Sequence, residues 1–153
     1  MLASAVAAGN AQERRRAPDG AAPQPAAASA PITLPTIPFD RDRPLVGVWE
    51  GTFNPGPGES ARFVVVVEYL NGGYQVYSLM HDLTHAMPAL QASVRGDTLV
   101  WENRNSGGGF LVYTGRLSGR NALSGVLTFR DFEPLAEHRA NPPTFSLRRR
   151  ASR

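Results

Sequence analysis

Hydrophobic and polar residues alternate with a period of two in several short runs that begin near residue 44. The first clear run covers residues 45–53, and its alternate positions place Trp49 between two glycines on one face. Glycine at Gly47 and Gly51 lets a neighbouring backbone or ring approach closely, and it lets a strand bend at a barrel corner. We therefore predict that this run is the opening strand of a small antiparallel barrel.

Further strand-like runs follow at short, even spacing, separated by turn signals such as Asn71-Gly72-Gly73. The predicted strands cover residues 45–53, 61–70, 74–79, 90–94, 98–103, 110–117, 122–130 and 144–150. No run carries a sustained helical stripe. The pattern predicts an all-β fold, a single up-and-down antiparallel barrel of about eight strands. A two-sheet sandwich is the alternative, because the pattern alone does not separate the two.

The residues before position 44 lack this alternation and divide into two segments. Residues 1–11 are short and apolar with small residues at Gly9 and Ala11, which is typical either of a truncated signal-peptide remnant or of an Ala-rich tail. Residues 12–43 are rich in Ala and Pro and are predicted to be a disordered linker. The domain boundaries are therefore 1–11, 12–43 and 44–153, and the signal-like start predicts a periplasmic or secreted protein.

The last part of the linker, Ile32–Phe39, is more apolar than the rest. It either lies along the barrel wall or acts as a polyproline-like spacer, and the spacer is favoured. On the second strand, Val64 and Val66 face away from the side that carries Phe63. We expect this outward patch to be covered by Ile32–Phe39 or by a partner.

Composition excludes several kinds of chemistry. The chain has no Cys, so it has no thiol nucleophile, disulfide or thiolate metal site, and it has no Lys for a Schiff base. All 16 basic residues are Arg, and the net charge is +3. Apart from residues 14–16 and 148–150 they are scattered, whereas phosphate binding needs a coherent patch, so no nucleic-acid partner is expected. No run approaches the roughly 18 apolar residues of a membrane-spanning helix, so no membrane span is expected.

Gly47-Val48-Trp49 on the first strand, together with an Arg cluster on the last, resembles the Gly-X-Trp and terminal Arg pairing of the calycin (lipocalin-like) barrels. The resemblance implies that an arginine packs over Trp49 and closes one end of the barrel, and Gly47 is assigned to the same closure. Arg148 or Arg150 would have this role, depending on register. The absence of disulfides and the short chain depart from true lipocalins.

About the last hundred residues also resemble a short secreted bacterial barrel domain, often found ahead of serine-hydrolase modules or alone behind a signal peptide. The resemblance is carried by Trp49-Glu50-Gly51, Gly96-Asp97-Thr98-Leu99, Tyr113–Gly119 and Leu123-Ser124-Gly125.

Aromatic residues supply the candidate ligand site. A barrel of this size is just wide enough to be filled by side chains or to hold one small ligand. The first hypothesis is a non-catalytic binding barrel for a small apolar or amphipathic ligand, lined by Trp49, Phe63, Tyr77, Trp101 and Tyr113. The second is an accessory or structural interaction module with a filled barrel. No cofactor is expected, and the sequence does not specify an oligomeric state.

The histidines supply a third hypothesis, a small barrel enzyme or a metal protein. His81 and His85 are four residues apart in an irregular stretch, and His138 lies in the other irregular stretch beside Glu137. Imidazoles and a carboxylate suit zinc or another divalent ion, and Asp82 could orient a histidine base. Solvated loop histidines remain the favoured interpretation, because spacing alone is a weak motif. No Gly-X-Ser-X-Gly motif is present, so an enzyme is less favoured than a binding module.

Overall fold

The computed structural model describes residues 30–152. The predicted segment 1–11 and residues 12–29 of the predicted linker lie outside the described residues. The elements are β1 (Gly47–Asn54), β2 (Ala61–Leu70), β3 (Gly73–Met80), β4 (Ala86–Pro88), β5 (Gln91–Arg95), β6 (Thr98–Arg104), β7 (Phe110–Ser118), β8 (Ala122–Arg130), α1 (Ala136–Ala140) and β9 (Thr144–Arg149).

All nine strands belong to one antiparallel sheet with the order β4-β3-β2-β1-β9-β8-β7-β6-β5. Each strand pairs with its neighbours in sequence, except that β4 and β5 do not pair, and β1 also pairs with β9. The predicted all-β, up-and-down antiparallel fold is therefore confirmed. The prediction of a closed barrel of about eight strands is corrected, because the curled sheet has nine strands and its ladder is open between β4 and β5.

The additional strand, β4, shows where the ladder is open. Residues 86–95 form one stretch that pairs with β3 through β4 and with β6 through β5. At the crossing, the Ala89 N–H donates to Val76 O at 2.8 Å and the Leu90 N–H donates to Glu102 O at 2.8 Å. The stretch thus changes partner between Ala89 and Leu90. We call this break in the ladder the seam.

Strand β2 is buried on both of its faces. Its residues Val64, Val65, Val66 and Val67 are all fully buried, although successive side chains point to opposite faces of a strand. Both faces of the sheet must therefore be covered here. The predicted turn at Asn71 and Gly72 joins β2 to β3 with positive φ at both residues, as a two-residue hairpin requires.

The concave face of the sheet surrounds the main core. Side chains from β1, β2, β3, β6, β7, β8 and β9 meet there, and the buried members are Leu45, Trp49, Phe53, Phe63, Val65, Val67, Val76, Leu99, Trp101, Tyr113, Leu123, Leu127, Phe145 and Leu147. This core is almost wholly apolar, since Ser78 and Asn103 are the buried polar side chains among residues 30–152.

The convex face of β1–β3 carries a second cluster, covered by a segment of the same chain. Ile32, Leu34 and Ile37 pack against a patch that includes Val64 and Val66. We call residues 32–39 the strap. The Ile32 N–H donates to Leu83 O at 2.9 Å, and the Ser152 hydroxyl donates to Ile37 O at 3.0 Å. The outward valine patch is thus covered by the strap, and the packed unit begins before the predicted boundary at residue 44.

One short helix lies in the segment between β8 and β9, where the sequence shows no helical stripe. Helix α1 has five residues, too few to display a 3.6-residue period. No helix among residues 30–152 is long and apolar enough to span a membrane.

Candidate functional site

Four of the five predicted ligand-lining residues meet inside the sheet. The rings of Trp101 and Tyr113 stack with centroids 4.9 Å apart and an interplanar angle of 5°, and Phe63 stacks on Tyr113 at 6.0 Å. Trp49 belongs to the same buried cluster. Each of these side chains is at most 1% exposed, so the four rings form a buried aromatic cluster.

Phe145 on β9 completes this cluster, and the sequence analysis did not assign it to the site. Its ring lies 5.6 Å from Trp101 and 5.9 Å from Phe63 between centroids. Phe145 precedes Leu147 by two residues on the last strand, and both are buried. That alternation was a readable signal for an inward-facing position.

Tyr77, the fifth predicted lining residue, lies on the opposite face of the sheet. It alternates with Val76 and Ser78 on β3, and it packs against the convex cluster under the strap. Burial raises the pKa of the Tyr77 phenol, and the nearby Glu68 carboxylate raises it further. Tyr77 is therefore separated from the four aromatic residues of the core.

The seam forms a surface cleft that includes Tyr77 in its wall. The cleft has a volume of about 230 Å3 and lies between the first half of β3 and the stretch that crosses to β6. Its lining residues are Glu68, Tyr74, Gln75, Val76, Tyr77, Pro88, Ala89, Leu90, Gln91 and Ala92. The walls are mixed, with aliphatic and aromatic groups beside amides and one carboxylate. We call this the seam cleft.

The sequence did not predict the seam cleft. Strand β4 has three residues and ends in Pro88, whose missing N–H makes a run look unlike a strand. Leu90 is 57% exposed, an unusual position for a large apolar side chain, but its exposure depends on the change of partner at this point.

The arginine that closes one end of the sheet is Arg149. Its guanidinium carbon lies 4.2 Å from the centroid of the Trp49 ring. Arg149 also donates from Nη1 to Val46 O at 2.8 Å, from Nε to Arg120 O at 3.0 Å and from Nη2 to Pro44 O. Burial lowers the pKa of the guanidinium from its usual value. One side chain of the last strand thus holds the segment before β1 and the turn between β7 and β8.

This geometry corrects the assignment of the closing role to Arg148 or Arg150. Arg148 is exposed, and Arg150 donates to the Glu50 carboxylate at 3.2 Å. Gly47 lies beside this contact, since a Cβ there would lie 2.5 Å from Nη1 of Arg149. The glycine therefore leaves the space that the guanidinium occupies.

The predicted metal residues do not meet. His81 and His85 are exposed in the stretch between β3 and β4, whereas the ring of His138 on α1 stacks on Phe129 with centroids 5.9 Å apart. Within residues 30–152, no group of three or more histidine, aspartate or glutamate side chains is placed to hold a metal ion.

Asp82 contacts His85 only through an intervening threonine. The Thr84 backbone N–H and hydroxyl both donate to Oδ1 of Asp82, at 3.1 and 2.8 Å, and Nδ1 of His85 lies 2.7 Å from the same hydroxyl oxygen. The side-chain hydrogen bond from Thr84 lowers the pKa of the Asp82 carboxyl. All three residues lie at the protein surface, so their hydrogen bonds define the local turn.

In comparisons with known proteins, no family model matches this sequence, and neither the curated proteins nor the solved structures give a match. The all-β antiparallel sheet is compatible with the barrel fold that the lipocalin-like resemblance implies. Membership of that family stays a prediction.

Proposed function

We propose that this protein is a non-catalytic binding module for a small apolar or amphipathic ligand, which binds in the seam cleft. The supporting observation is the cleft itself, a concavity of about 230 Å3 at the break in the strand ladder between β4 and β5. Clefts that hold drug-sized ligands are commonly 300–1,000 Å3, so the ligand is small. The same proposal includes a location of the protein in the periplasm or outside the cell, and this location rests on the signal-like residues 1–11.

The composition of the cleft supports an amphipathic ligand. Val76 and Ala89 offer aliphatic surface near the crossing point, whereas Glu68 and Gln91 place polar groups at the wall. Two tyrosines, Tyr74 and Tyr77, offer ring surface and a hydroxyl each. A molecule with one apolar and one polar end would pair both kinds of surface.

A second candidate function is the accessory interaction module with a filled barrel. The aromatic cluster favours this candidate. A ligand at the centre of the sheet would need the space that the stacked rings of Trp101 and Tyr113 occupy. The packing density expected of a protein interior leaves little free volume around such rings. On this proposal the binding surface is external, and no small molecule is required.

Native mass spectrometry of the full chain, purified from a bacterial periplasm, separates the two candidates. We expect a mass excess over the denatured protein that is lost on denaturation. The variant Ala92→Phe, which enlarges a residue of the cleft wall, should lose the excess, whereas Ser146→Ala on an exposed position of β9 should keep it. No excess, even after incubation with a medium-chain fatty acid and fatty alcohol, would overturn the ligand proposal in favour of the filled module.

A further inference from the structure

Three buried polar atoms in the interior have no hydrogen-bond partner among the described residues. They are Oγ of Ser78, Nε1 of Trp101 and Oδ1 of Asn103. Ser78 and Trp101 are fully buried, and Asn103 is 5% exposed. Buried polar groups are nearly always paired, so each exception needs an explanation.

The three atoms belong to residues beside the seam: Ser78 and Asn103 flank β4, and Trp101 lies opposite Ala92 of β5. Ser78 lies opposite Met87 in the β3–β4 ladder. Asn103 donates from Nδ2 to Met87 O at 3.4 Å and to Pro88 O at 3.3 Å. Trp101 precedes Asn103 by two residues and so faces the same side of β6. The unpaired atoms therefore face the concave core on the inner side of the seam.

A second tryptophan shows that the fold can pair a buried indole. Trp49 is as deeply buried as Trp101, and its Nε1–H donates to Leu45 O at 3.0 Å. The Trp101 N–H has no such partner within residues 30–152. The difference between the two indoles places the unmet hydrogen-bonding capacity at the seam and not throughout the core.

We propose that the inner side of the seam binds the hydroxyl group of a small neutral alcohol or phenol. This inference rests on the proposed function, because the apolar part of the same molecule would lie in the seam cleft. A hydroxyl oxygen accepts from Nε1–H of Trp101, and the hydroxyl hydrogen is donated to Oδ1 of Asn103. The hydroxyl of Ser78, which both donates and accepts, completes the set.

The surroundings select a neutral head group over an anionic one. No charged side chain belongs to the core cluster, and the one charged residue in the cleft wall is Glu68. A carboxylate buried there would have no cationic partner, and burying an unpaired charge is strongly unfavourable. A hydroxyl group loses much less on burial, and here it gains the three partners that the protein leaves free.

The cleft and the unpaired atoms lie on neighbouring residues. Val76 lines the cleft, and Ser78 follows it by two residues on the same face of β3. Pro88 also lines the cleft, and its carbonyl accepts from Asn103. Strand β4 lies between the cleft and the unpaired atoms. It has three residues and pairs in the ladder with β3 alone, so few hydrogen bonds hold it in place.

Calorimetric titration of the full chain with three matched probes tests this inference. Cyclohexanol carries the hydroxyl group, cyclohexanecarboxylate carries an anion, and methylcyclohexane carries neither. We expect cyclohexanol to bind at least about tenfold more tightly than the other two. The variants Ser78→Ala and Asn103→Leu should reduce its affinity about tenfold each and leave methylcyclohexane binding unchanged. Ser146→Ala serves as the matched control and should bind as the unmodified chain does.

The outcomes separate this inference from the proposed function. Equal binding of all three probes, abolished by Ala92→Phe, would overturn the hydroxyl site and keep the seam cleft as a binding site. Failure of all three probes to bind would overturn both, and ordered water would then satisfy the buried atoms. If Asn103→Leu does not fold, as judged by circular dichroism, Ser78→Ala alone tests the hydroxyl site. This substitution removes one buried hydroxyl that has no hydrogen-bond partner within residues 30–152, and it removes no backbone hydrogen bond.

Discussion

The guanidinium of Arg149 lies over the Trp49 ring, with its central carbon 4.2 Å from the ring centroid. These residues stand opposite each other in the β1–β9 ladder, which joins the first and last strands of the sheet. A cation over an indole face is attracted by the ring quadrupole, and the attraction grows when both groups are shielded from water. The contact therefore fixes the pairing that makes the nine strands one sheet.

Arg149→Ala should lower the free energy of unfolding by about 2–4 kcal/mol, because it removes the stacked cation and leaves carbonyl acceptors at Val46 and Arg120 without their donor. Arg149→Lys should recover less than half of this loss, since an ammonium lacks the planar fork. Chemical denaturation measured by tryptophan fluorescence reports both values. Arg148→Ala, at an exposed position on the same strand, should stay within about 0.5 kcal/mol. Equal losses at positions 148 and 149 would contradict the assignment.

Gly125→Ala should destabilise the protein by at least about 2 kcal/mol, because its Cβ would lie 1.8 Å from Thr114 O and 2.7 Å from Cζ of Phe145. The β7–β8 ladder and the aromatic cluster would both have to move. Gly73→Ala provides the matched control, since a Cβ there meets nothing within 4 Å and its φ is not positive. The difference between the two thermal unfolding midpoints measures the steric cost. A Gly125→Ala midpoint as high as that of Gly73→Ala would contradict this account.

The alternation of hydrophobic and polar residues was enough to predict most strands, because a period of two shows which side chains share a face of a strand. It also held the information for Arg149, which continues the inward series Phe145 and Leu147. The resemblance to lipocalin-like barrels directed attention to Arg148 and Arg150 instead. Which of three consecutive arginines meets Trp49 depends on the β1–β9 register, and register is a long-range property.

The features that the sequence missed are short or depend on distant partners. Strand β4 exists because Met87 and Pro88 find β3 on one side and the Asn103 amide on the other. Tyr77 was assigned to the ligand site by its aromatic character, yet the face it occupies is set by its neighbours Val76 and Ser78. Aromatic content alone could not separate the concave core from the convex cluster.

The strap gives a prediction about the extent of the folded unit. A chain that begins at residue 44 should be about 2–4 kcal/mol less stable than a chain that begins at residue 30, because it lacks Ile32, Leu34 and Ile37 on the convex cluster. It should also bind a hydrophobic fluorescent dye through the uncovered Val64 and Val66. Thermal unfolding and dye fluorescence of the two chains check this. Identical curves would show that the strap adds nothing to stability.

The last prediction concerns alkaline pH. Burial raises the pKa of the Tyr113 phenol to about 12, from its ordinary value of 10.0. The unfolded chain therefore loses this proton first, so the stability that the neutral phenol contributes is complete below pH 10 and declines as the pH rises towards 12. A shift of this size corresponds to about 3 kcal/mol across that window.

Tyr113→Phe should remove this part of the loss of stability at alkaline pH, while its free energy of unfolding stays within about 1 kcal/mol of that of the unmodified chain at neutral pH. Urea unfolding at a series of pH values measures both quantities, and Tyr69→Phe, at a partly exposed tyrosine of β2, is the control. A Tyr113→Phe variant whose stability falls as steeply above pH 10 as that of the unmodified chain would show that the buried phenol does not govern alkaline unfolding.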